Sequence, residues 1–151
     1  MSTETRSGAE FGNIFHIEDH AGHMLRRAHQ RATANLHRHI AKLDLTAQQF
    51  ATLARLAEYG AVSQNQLGRL VDMEPANIHG LVRRLLKRGL VRTESNDADR
   101  RQLLVSLTSQ GRALLETGLR PSEEANEETL ASLSAAERTE LFRILGKIAV
   151  A

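Results

Sequence analysis

The segment from residue 63 to residue 89 constrains the fold most, because its pattern predicts two short helices joined by a tight turn. Ser63 and Gln66 form a capping box, in which the serine hydroxyl accepts a backbone amide and the glutamine reaches back to the helix start. Pro75 suits the first turn of the second helix, where a missing N–H costs nothing, and Gly89 ends that helix. The core face of the second helix is predicted to consist of Ile78, Leu81, Val82, Leu85 and Leu86.

A β-hairpin is predicted directly after these helices. Residues 90–94 and 102–107 read as its strands, and the turn between them, residues 95–101, is polar and rich in Asp and Asn. Within the turn, Asp99 is expected to pair with Arg101 and to hold its guanidinium where it can enter a narrow minor groove. The alternative is an ordinary turn whose surface ion pairs contribute little. Two short helices followed by a hairpin with a charged tip predict a winged helix-turn-helix lobe.

Amphipathic helices are predicted on both sides of this lobe. On the N-terminal side the pattern predicts a helix over residues 19–43 and a second helix that Thr46 opens with another capping box. On the C-terminal side a helix begins at Thr108 and contains Pro121, so a kink is expected near that proline. A third capping box at Ser134 opens the last helix. The chain is therefore predicted to be mainly α, with a small β-hairpin wing.

Positive charge is concentrated on the second short helix, although the whole chain carries a net charge of only +2. Residues 76–92 hold five Lys or Arg and no Asp or Glu, whereas residues 108–151 hold seven Glu and five Lys or Arg. A helix that buries one face and offers a basic face can lie in the major groove of DNA, and a solvated basic surface is the alternative. The predicted DNA-binding residues are Ser63, Gln64 and Asn65 at a helix N-terminus, Ala76, Asn77, His79, Gly80, Arg83, Arg84 and Lys87 on the second helix, and Arg100 and Arg101 in the wing, with Asp99 as wing support.

Residues 46–111 resemble the MarR family of bacterial transcriptional regulators. The resemblance is carried by LKRGLV at the end of the second short helix, by the D-x-R wing that starts at Asp99, and by VSLTSQG at the entry to the next helix, and it extends over about residues 20–150. It implies a homodimer that represses a nearby operon and binds a pseudo-palindromic operator in double-stranded DNA. The residues that it assigns to DNA reading are Asn77, His79, Gly80 and Arg83 in the major groove and Arg101 in the wing.

Under this interpretation residues 1–151 form a single domain. Its predicted parts are an N-terminal arm over residues 1–18 with Phe11, Ile14 and Phe15 as apolar anchors, dimerisation helices over residues 19–45 and 108–151, and a DNA-binding lobe over residues 46–107. The apolar stripes of the terminal helices have little to bury against in one small lobe, so a second copy of the chain is expected to cover them. The alternative is that these helices close the core of a monomer.

The first long helix contains HMLRRAHQR at residues 23–31, which looks like the first helix of family members that govern the catabolism of aromatic acids. The resemblance implies a cleft for a small aromatic carboxylate or its coenzyme A thioester. Arg and His would bind the carboxylate through charge-assisted hydrogen bonds, and apolar residues would hold the ring. Aromatic residues make up only 3% of the chain, which excludes an aromatic cage. The candidate ligand-binding residues are His23, Met24, Arg26, Arg27, His29, His39 and Phe50, for each of which a surface or interface role is the alternative.

Six of the seven histidines lie between residues 16 and 39. His16, His20 and His23 have i, i+4, i+7 spacing, which places them on one face if the helix extends back that far, and such a set could bind zinc. A zinc-responsive regulator of the same fold is therefore the alternative hypothesis. Because Gly22 weakens a helix here and no third ligand is fixed, no metal site is assigned and no cofactor is expected.

Other functional classes are excluded by what the sequence lacks. Without cysteine the chain has no disulfide, thiolate zinc site or cysteine nucleophile. It has no catalytic triad pattern, paired carboxylates or Gly-rich phosphate loop, so it is not expected to be an enzyme. An enzyme or scaffold that uses the winged helix for protein contacts stays as a third hypothesis. No apolar run approaches the roughly 18 residues of a membrane span, so a cytoplasmic location without membrane contact is expected.

Overall fold

Residues 15–150, which the computed structural model describes, are mainly helical and carry one small antiparallel sheet, as predicted. The helices are α1 (Ala21–His39), α2 (Ala47–Tyr59), α3 (Gln64–Leu70), α4 (Pro75–Lys87), α5 (Ser109–Thr129) and α6 (Ala135–Ala149). The strands are β1 (Val62–Ser63), β2 (Val91–Asn96) and β3 (Asp99–Leu107), and short 3-10 turns lie at Ile17–Asp19 and Ala41–Leu43. Most of the expected N-terminal arm, with Phe11 and Ile14, lies outside the described residues, and Phe15 is exposed. Within residues 15–150 no helix is long and apolar enough to cross a membrane.

Local hydrogen bonds start the helices where the capping boxes predict. Both bonds of the box are formed at Thr46 and at Ser134, where the backbone amide of the serine donates to Glu137 Oε2 over 2.8 Å. At Ser63 the hydroxyl accepts the Gln66 amide at 3.2 Å, but the structure, over the residues that it describes, shows no return bond from the Gln66 side chain. Each cap satisfies an amide that has no partner inside the helix, so the predicted and observed helix starts agree.

The sheet contains a third strand that the sequence pattern does not reveal. The strand order is β1-β3-β2, and both pairs are antiparallel. The hairpin turn is also shorter than predicted, because β2 runs to Asn96 and β3 begins at Asp99. Asn96 donates from Nδ2 to Gln102 Oε1 over 2.8 Å and accepts the Ala98 amide at 3.0 Å. These bonds close the turn within two residues and lengthen the wing.

The core lies beneath the two helices of the helix-turn-helix pair. As predicted, four side chains of α4 are buried, namely Ile78, Leu81, Val82 and Leu85. Leu86, which the sequence pattern also assigns to the core, is 38% exposed, so that prediction is wrong. Successive residues turn by about 100° around a helix. Because Leu85 points into the core, the side chain of Leu86 points away from the centre of the buried face. Leu53 and Leu56 of α2 and Leu67 of α3 belong to the same buried cluster.

Helix α5 approaches the lobe closely at two glycines. A Cβ at Gly111 would lie 1.9 Å from the carbonyl oxygen of Leu90, and a Cβ at Gly118 would lie 2.5 Å from the ring of Phe50. Only glycine therefore fits at these two positions without a shift of the neighbouring groups. The helix continues through Pro121 without interruption, and the kink expected at that residue stays a prediction.

A polar cluster joins α1 to α5. The buried Asn35 donates to Thr129 Oγ1 over 3.0 Å. His39 Nε2 lies 2.7 Å from Glu128 Oε2, and Arg38 donates to the other carboxylate oxygen. The hydrogen bond with His39, followed by that with Arg38, lowers the pKa of the Glu128 carboxyl below its ordinary value. These contacts hold the second half of α1 against the end of α5.

Helix α6 leaves part of its apolar side exposed, although Leu141 and Leu145 on that side are half-buried. None of its residues is buried, and along its predicted apolar stripe Ile144 and Ile148 are 41% and 57% exposed. At the other end of the described chain, Met24 and Leu25 of α1 are exposed as well. One copy of the chain therefore leaves apolar surfaces on α1 and α6 that the described residues do not cover.

Candidate nucleic-acid interface

Helix α4 presents to solvent the face opposite its buried side chains. Its predicted DNA-binding residues are exposed, apart from the half-buried Gly80, and comprise Ala76, Asn77, His79, Arg83, Arg84 and Lys87. The exposed face is small and polar where the helix begins and basic where it ends. This distribution suits contact with base edges at one end and with phosphates at the other.

The cations of this face are not neutralised by carboxylates. Within residues 15–150, Arg83, Arg84 and Lys87 form no ion pair. In α5 and α6, by contrast, three arginines pair with glutamates of those helices, namely Arg120, Arg138 and Arg143. Cations without a carboxylate partner raise the local potential and attract phosphate groups. The predicted basic surface is therefore present on α4.

Arg88, the next cation after α4, has a structural contact instead. Its guanidinium donates to the backbone carbonyl of Asp44 and, over 3.2 Å, to that of Leu43. These carbonyls lie in the connection between α1 and α2. Arg88 therefore ties the end of α4 to that connection and does not extend the exposed basic face.

The N-terminus of α3 lies beside α4. Ser63 is buried and its hydroxyl accepts the Gln66 amide, so the structure places it in the helix cap and does not support the expected phosphate contact. Gln64 is half-buried, and its Nε2 lies 3.3 Å from Nδ1 of His79. Asn65 is exposed. Of the three predicted residues, Gln64 is thus the one whose side chain has a hydrogen-bond contact with an α4 side chain among the described residues.

The wing tip differs from the prediction in what Asp99 does. Asp99 Oδ1 accepts the backbone amide of Arg101 at 3.0 Å, and no ion pair joins Asp99 to the Arg101 guanidinium in the part of the chain that the structure describes. The predicted side-chain pairing is therefore wrong. A short carboxylate satisfies a nearby amide readily, whereas holding a long exposed guanidinium gains little. Asp99 fixes the backbone of the tip, and both Arg100 and Arg101 stay exposed.

A cavity of about 860 Å³ lies between α1, α2, the α3–α4 turn and α5. Of the predicted ligand-binding residues, only His29 lines it. The rest of the wall combines apolar and polar side chains, among them Leu36, Val71 and Met73, and Thr33, Asp72 and Asn126. His37 also lines the cavity, and its Nε2 accepts the Ala47 amide at 2.8 Å. No described Lys or Arg is part of the wall.

Six predicted ligand-binding residues lie outside this wall. Phe50 is only 7% exposed and packs against Gly118 in the core. His39 is hydrogen-bonded to Glu128. The others lie on the first turns of α1, before the helix reaches the cavity, and are His23, Met24, Arg26 and Arg27.

Two cavity residues of α1 that the prediction missed, Thr33 and His37, carry a signal in the sequence, because they continue the spacing that starts at the predicted His29. His29, Thr33 and His37 are spaced i, i+4, i+8, which places them on one face of a helix. The structure brings this face to the cavity. The predicted residues His23, Met24, Arg26 and Arg27 lie earlier on the same helix, and their role in ligand binding stays a prediction.

The N-terminal histidines do not share a helix face. His16 precedes the first 3-10 turn, and His20 has an extended backbone that separates this turn from α1. The His20 ring stacks on Phe15, with ring centroids 4.4 Å apart. Over residues 15–150, no group of three or more potential metal ligands is placed to hold an ion. The zinc-responsive alternative therefore has no support from the described structure.

Comparison with known proteins relates the sequence to transcriptional regulators. The sequence profile described as MarR family matches residues 43–102. The transcriptional repressor NicR of Pseudomonas putida is 35% identical to this chain over 145 residues, which cover 95% of this chain and 92% of NicR.

Solved structures share the fold. BpsR of Bordetella bronchiseptica, whose DNA binding is regulated by 6-hydroxynicotinic acid, superposes with a TM-score of 0.86 at 36% identity, covering 91% of this chain and 98% of BpsR. A mutant MarR of Escherichia coli complexed with operator DNA superposes with a TM-score of 0.81 at 25% identity, covering 85% of this chain and 92% of MarR.

Proposed function

This chain is a member of the MarR family of transcriptional regulators, and we propose that it is a homodimeric repressor released from its operator by a small aromatic or heteroaromatic carboxylic acid. Members of this family are DNA-binding regulators and not enzymes, which agrees with the expectation from the sequence. The observation that carries the proposal is the exposed face of α4, whose cations have no carboxylate partner within residues 15–150.

In the proposed complex α4 lies in the major groove. Asn77 and His79 are near base edges, where an asparagine can pair bidentately with adenine. Arg83 reaches from the middle of the helix to a base, and Arg84 and Lys87 lie near phosphates. The wing arginines reach the neighbouring minor groove, where the potential is most negative in A·T-rich sequence.

A second copy of the chain covers the apolar surfaces of α1 and α6 in the proposed dimer. The exposed Met24 and Leu25 on one helix and Ile144 and Ile148 on the other support this assignment, because large apolar side chains at both ends of a chain favour a partner. A two-fold dimer presents two α4 helices to DNA. Its operator is therefore a pseudo-palindrome with half-sites about 10 bp apart.

The chemistry of the cavity supports an acid with a single ring. His29 can donate a hydrogen bond to a carboxylate, Asp72 can accept one from a ring N–H or hydroxyl, and Leu36 offers apolar contact to the ring. The volume of about 860 Å³ suits a small ligand. A coenzyme A thioester is disfavoured, because no described Lys or Arg lines the wall to bind its phosphates. The regulation of BpsR by 6-hydroxynicotinic acid supports the same class of ligand.

The cavity adjoins the start of α4. Asp72 and Met73 belong to the turn that leads into α4, and they line both the cavity and a neighbouring groove that also contains Asn77 and Gly80. A ligand that binds one arrangement of this turn more tightly shifts the population towards it. We infer that the favoured arrangement moves α4 out of register with the groove.

Ala32→Phe should make DNA binding insensitive to the effector. Ala32 lines the cavity from α1, and a phenyl ring there occupies the space of the ligand ring. In fluorescence anisotropy with the intergenic duplex beside the gene, saturating 6-hydroxynicotinic acid should weaken wild-type binding by about tenfold or more and leave the variant within about twofold.

Ala34→Phe is the matched control, because Ala34 is exposed on the same helix and does not line the cavity. It should respond to the acid as the wild type does. If none of the three kinds of acid, nicotinic, hydroxynicotinic and hydroxybenzoic, releases wild-type protein from DNA, the proposed class of effector is wrong.

Arg101→Ala should weaken binding to the same duplex by at least about tenfold, or about 1.4 kcal/mol, because the wing loses its reach into the minor groove. The variant should keep the wild-type mass in light scattering, which for a dimer is twice the 16.7 kDa of one chain. An unaltered affinity would remove the wing from the interface, and a monomeric mass at micromolar concentration would refute the dimer.

A further inference from the structure

We propose that Gln64 positions His79, and that the pair makes this protein prefer a guanine at one base pair of its operator. The inference rests on the proposed function, because it concerns how α4 reads DNA. The sequence pattern assigns Gln64 and His79 to separate DNA contacts. In the structure, Gln64 Nε2 and His79 Nδ1 are 3.3 Å apart, although the residues are 15 positions apart in the chain.

The two side chains meet because α3 and α4 pack closely. A Cβ at Gly68 of α3 would lie 3.4 Å from Cγ2 of Ile78 on α4, so the helices approach each other at van der Waals distance. Ile78 is fully buried and holds the backbone next to His79 in place. The Ser63 cap does the same next to Gln64. Both side chains therefore project from backbone positions that packing and capping hold.

The contact selects one tautomer of the His79 ring. The amide nitrogen of Gln64 can only donate, so the contact forms when Nδ1 of His79 accepts and the ring proton lies on Nε2. Within residues 15–150, Gln64 is the only hydrogen-bond partner shown for the His79 ring, and the histidine is exposed. His79 therefore offers a hydrogen-bond donor on the side of α4 proposed to face DNA.

A single donor at this position favours guanine. The major-groove edge of guanine carries two adjacent acceptors, N7 and O6. Adenine has a donor beside its one acceptor N7, thymine has one acceptor, O4, beside a methyl group, and cytosine offers a donor. Without the glutamine contact, the proton of the neutral ring can also lie on Nδ1, and in that tautomer Nε2 can accept from adenine or cytosine. Gln64 is therefore expected to contribute more to the preference for guanine than to the affinity for DNA.

Selection of duplexes from a randomised pool tests this inference. Comparison of wild type with His79→Ala identifies the base pair that His79 reads, and we expect guanine there. Gln64→Met, which keeps the length of the side chain and removes the amide, should lower the preference for guanine at that base pair by about fivefold. In the His79→Ala background the same change should have no further effect, because the histidine that Gln64 positions is absent.

Gln66→Met is the matched control, since it makes the same chemical change at an exposed residue of the same helix, and the structure shows no hydrogen bond of the Gln66 side chain among the residues that it describes. It should leave the preference at this base pair unchanged. The melting temperature of Gln64→Met should equal that of wild type, which separates a reading effect from a folding effect.

Uniform weakening on every sequence in Gln64→Met would indicate a phosphate contact and would overturn the inference, as would an A·T pair at the position that His79 reads. An unchanged guanine preference in Gln64→Met overturns the inference alone. If wild-type protein enriches no sequence at all, both this inference and the proposed function are wrong.

Discussion

Arg83→Ala should weaken binding to the selected operator by about thirtyfold, which corresponds to about 2 kcal/mol. Arg83 is exposed in the middle of α4 and has no carboxylate partner within residues 15–150. In the proposed complex, its loss removes charge-assisted hydrogen bonds to a base edge. The loss should therefore be several-fold smaller on an unrelated duplex than on the operator, as measured by fluorescence anisotropy at one salt concentration.

Arg120→Ala provides the control for charge. Arg120 is also exposed, but it lies on α5 and pairs with Glu124 at 3.1 Å. The variant removes the same charge from the chain and should bind DNA with wild-type affinity. Equal losses in the two variants would show that net charge, and not the exposed face of α4, governs binding.

Gly111→Ala should lower the free energy of unfolding by about 3 kcal/mol or more. The added Cβ would lie 1.9 Å from the carbonyl oxygen of Leu90, so the backbone has to move. Leu90 also accepts the Thr108 amide at 3.2 Å, and the Thr108 hydroxyl donates to the Gly89 carbonyl over 2.6 Å. The movement therefore strains the hydrogen bonds that join the end of the helix-turn-helix pair to α5. Urea unfolding at a fixed protein concentration measures the change.

Gly146→Ala is the matched control in another helix. Apart from the neighbouring residues of α6 itself, no described atom lies within 4 Å of a Cβ at Gly146, so alanine should stabilise α6 by about 0.5–1 kcal/mol through its higher helix propensity. If Gly111→Ala proves as harmless as this control, α5 does not approach the lobe as closely as the structure indicates.

Features that depend on residues close together in the chain could be predicted from the sequence. The starts of α2 and α6 follow from the capping boxes at Thr46 and Ser134, because cap and helix are adjacent in the chain. The buried side of α4 follows from the period of its apolar residues, apart from Leu86 at its edge. Strand β1 could not be predicted, because two residues show no periodicity and become a strand only through pairing with β3.

Which residues line the cavity depends on how helices that are distant in the chain pack together. The contact of Asn35 with Thr129 places α5 on the second half of α1, and this decides which turns of α1 the cavity includes. The spacing of His29, Thr33 and His37 shows that they share a face, but it does not show what covers that face. At the wing, the local bond from the Arg101 amide to Asp99 replaces the ion pair that charge alone suggests.

Directed DNA cleavage tests the central claim, which is that the exposed face of α4 lies against double-stranded DNA. Because the chain has no cysteine, Asn77→Cys offers a single attachment point for an iron chelate that cuts nearby DNA. Glu116→Cys, on the exposed side of α5, is the control. Cuts from Asn77→Cys should fall in two short stretches of the operator about 10 bp apart, with weak cutting from the control. Strong cutting from Glu116→Cys and none from Asn77→Cys would contradict the account.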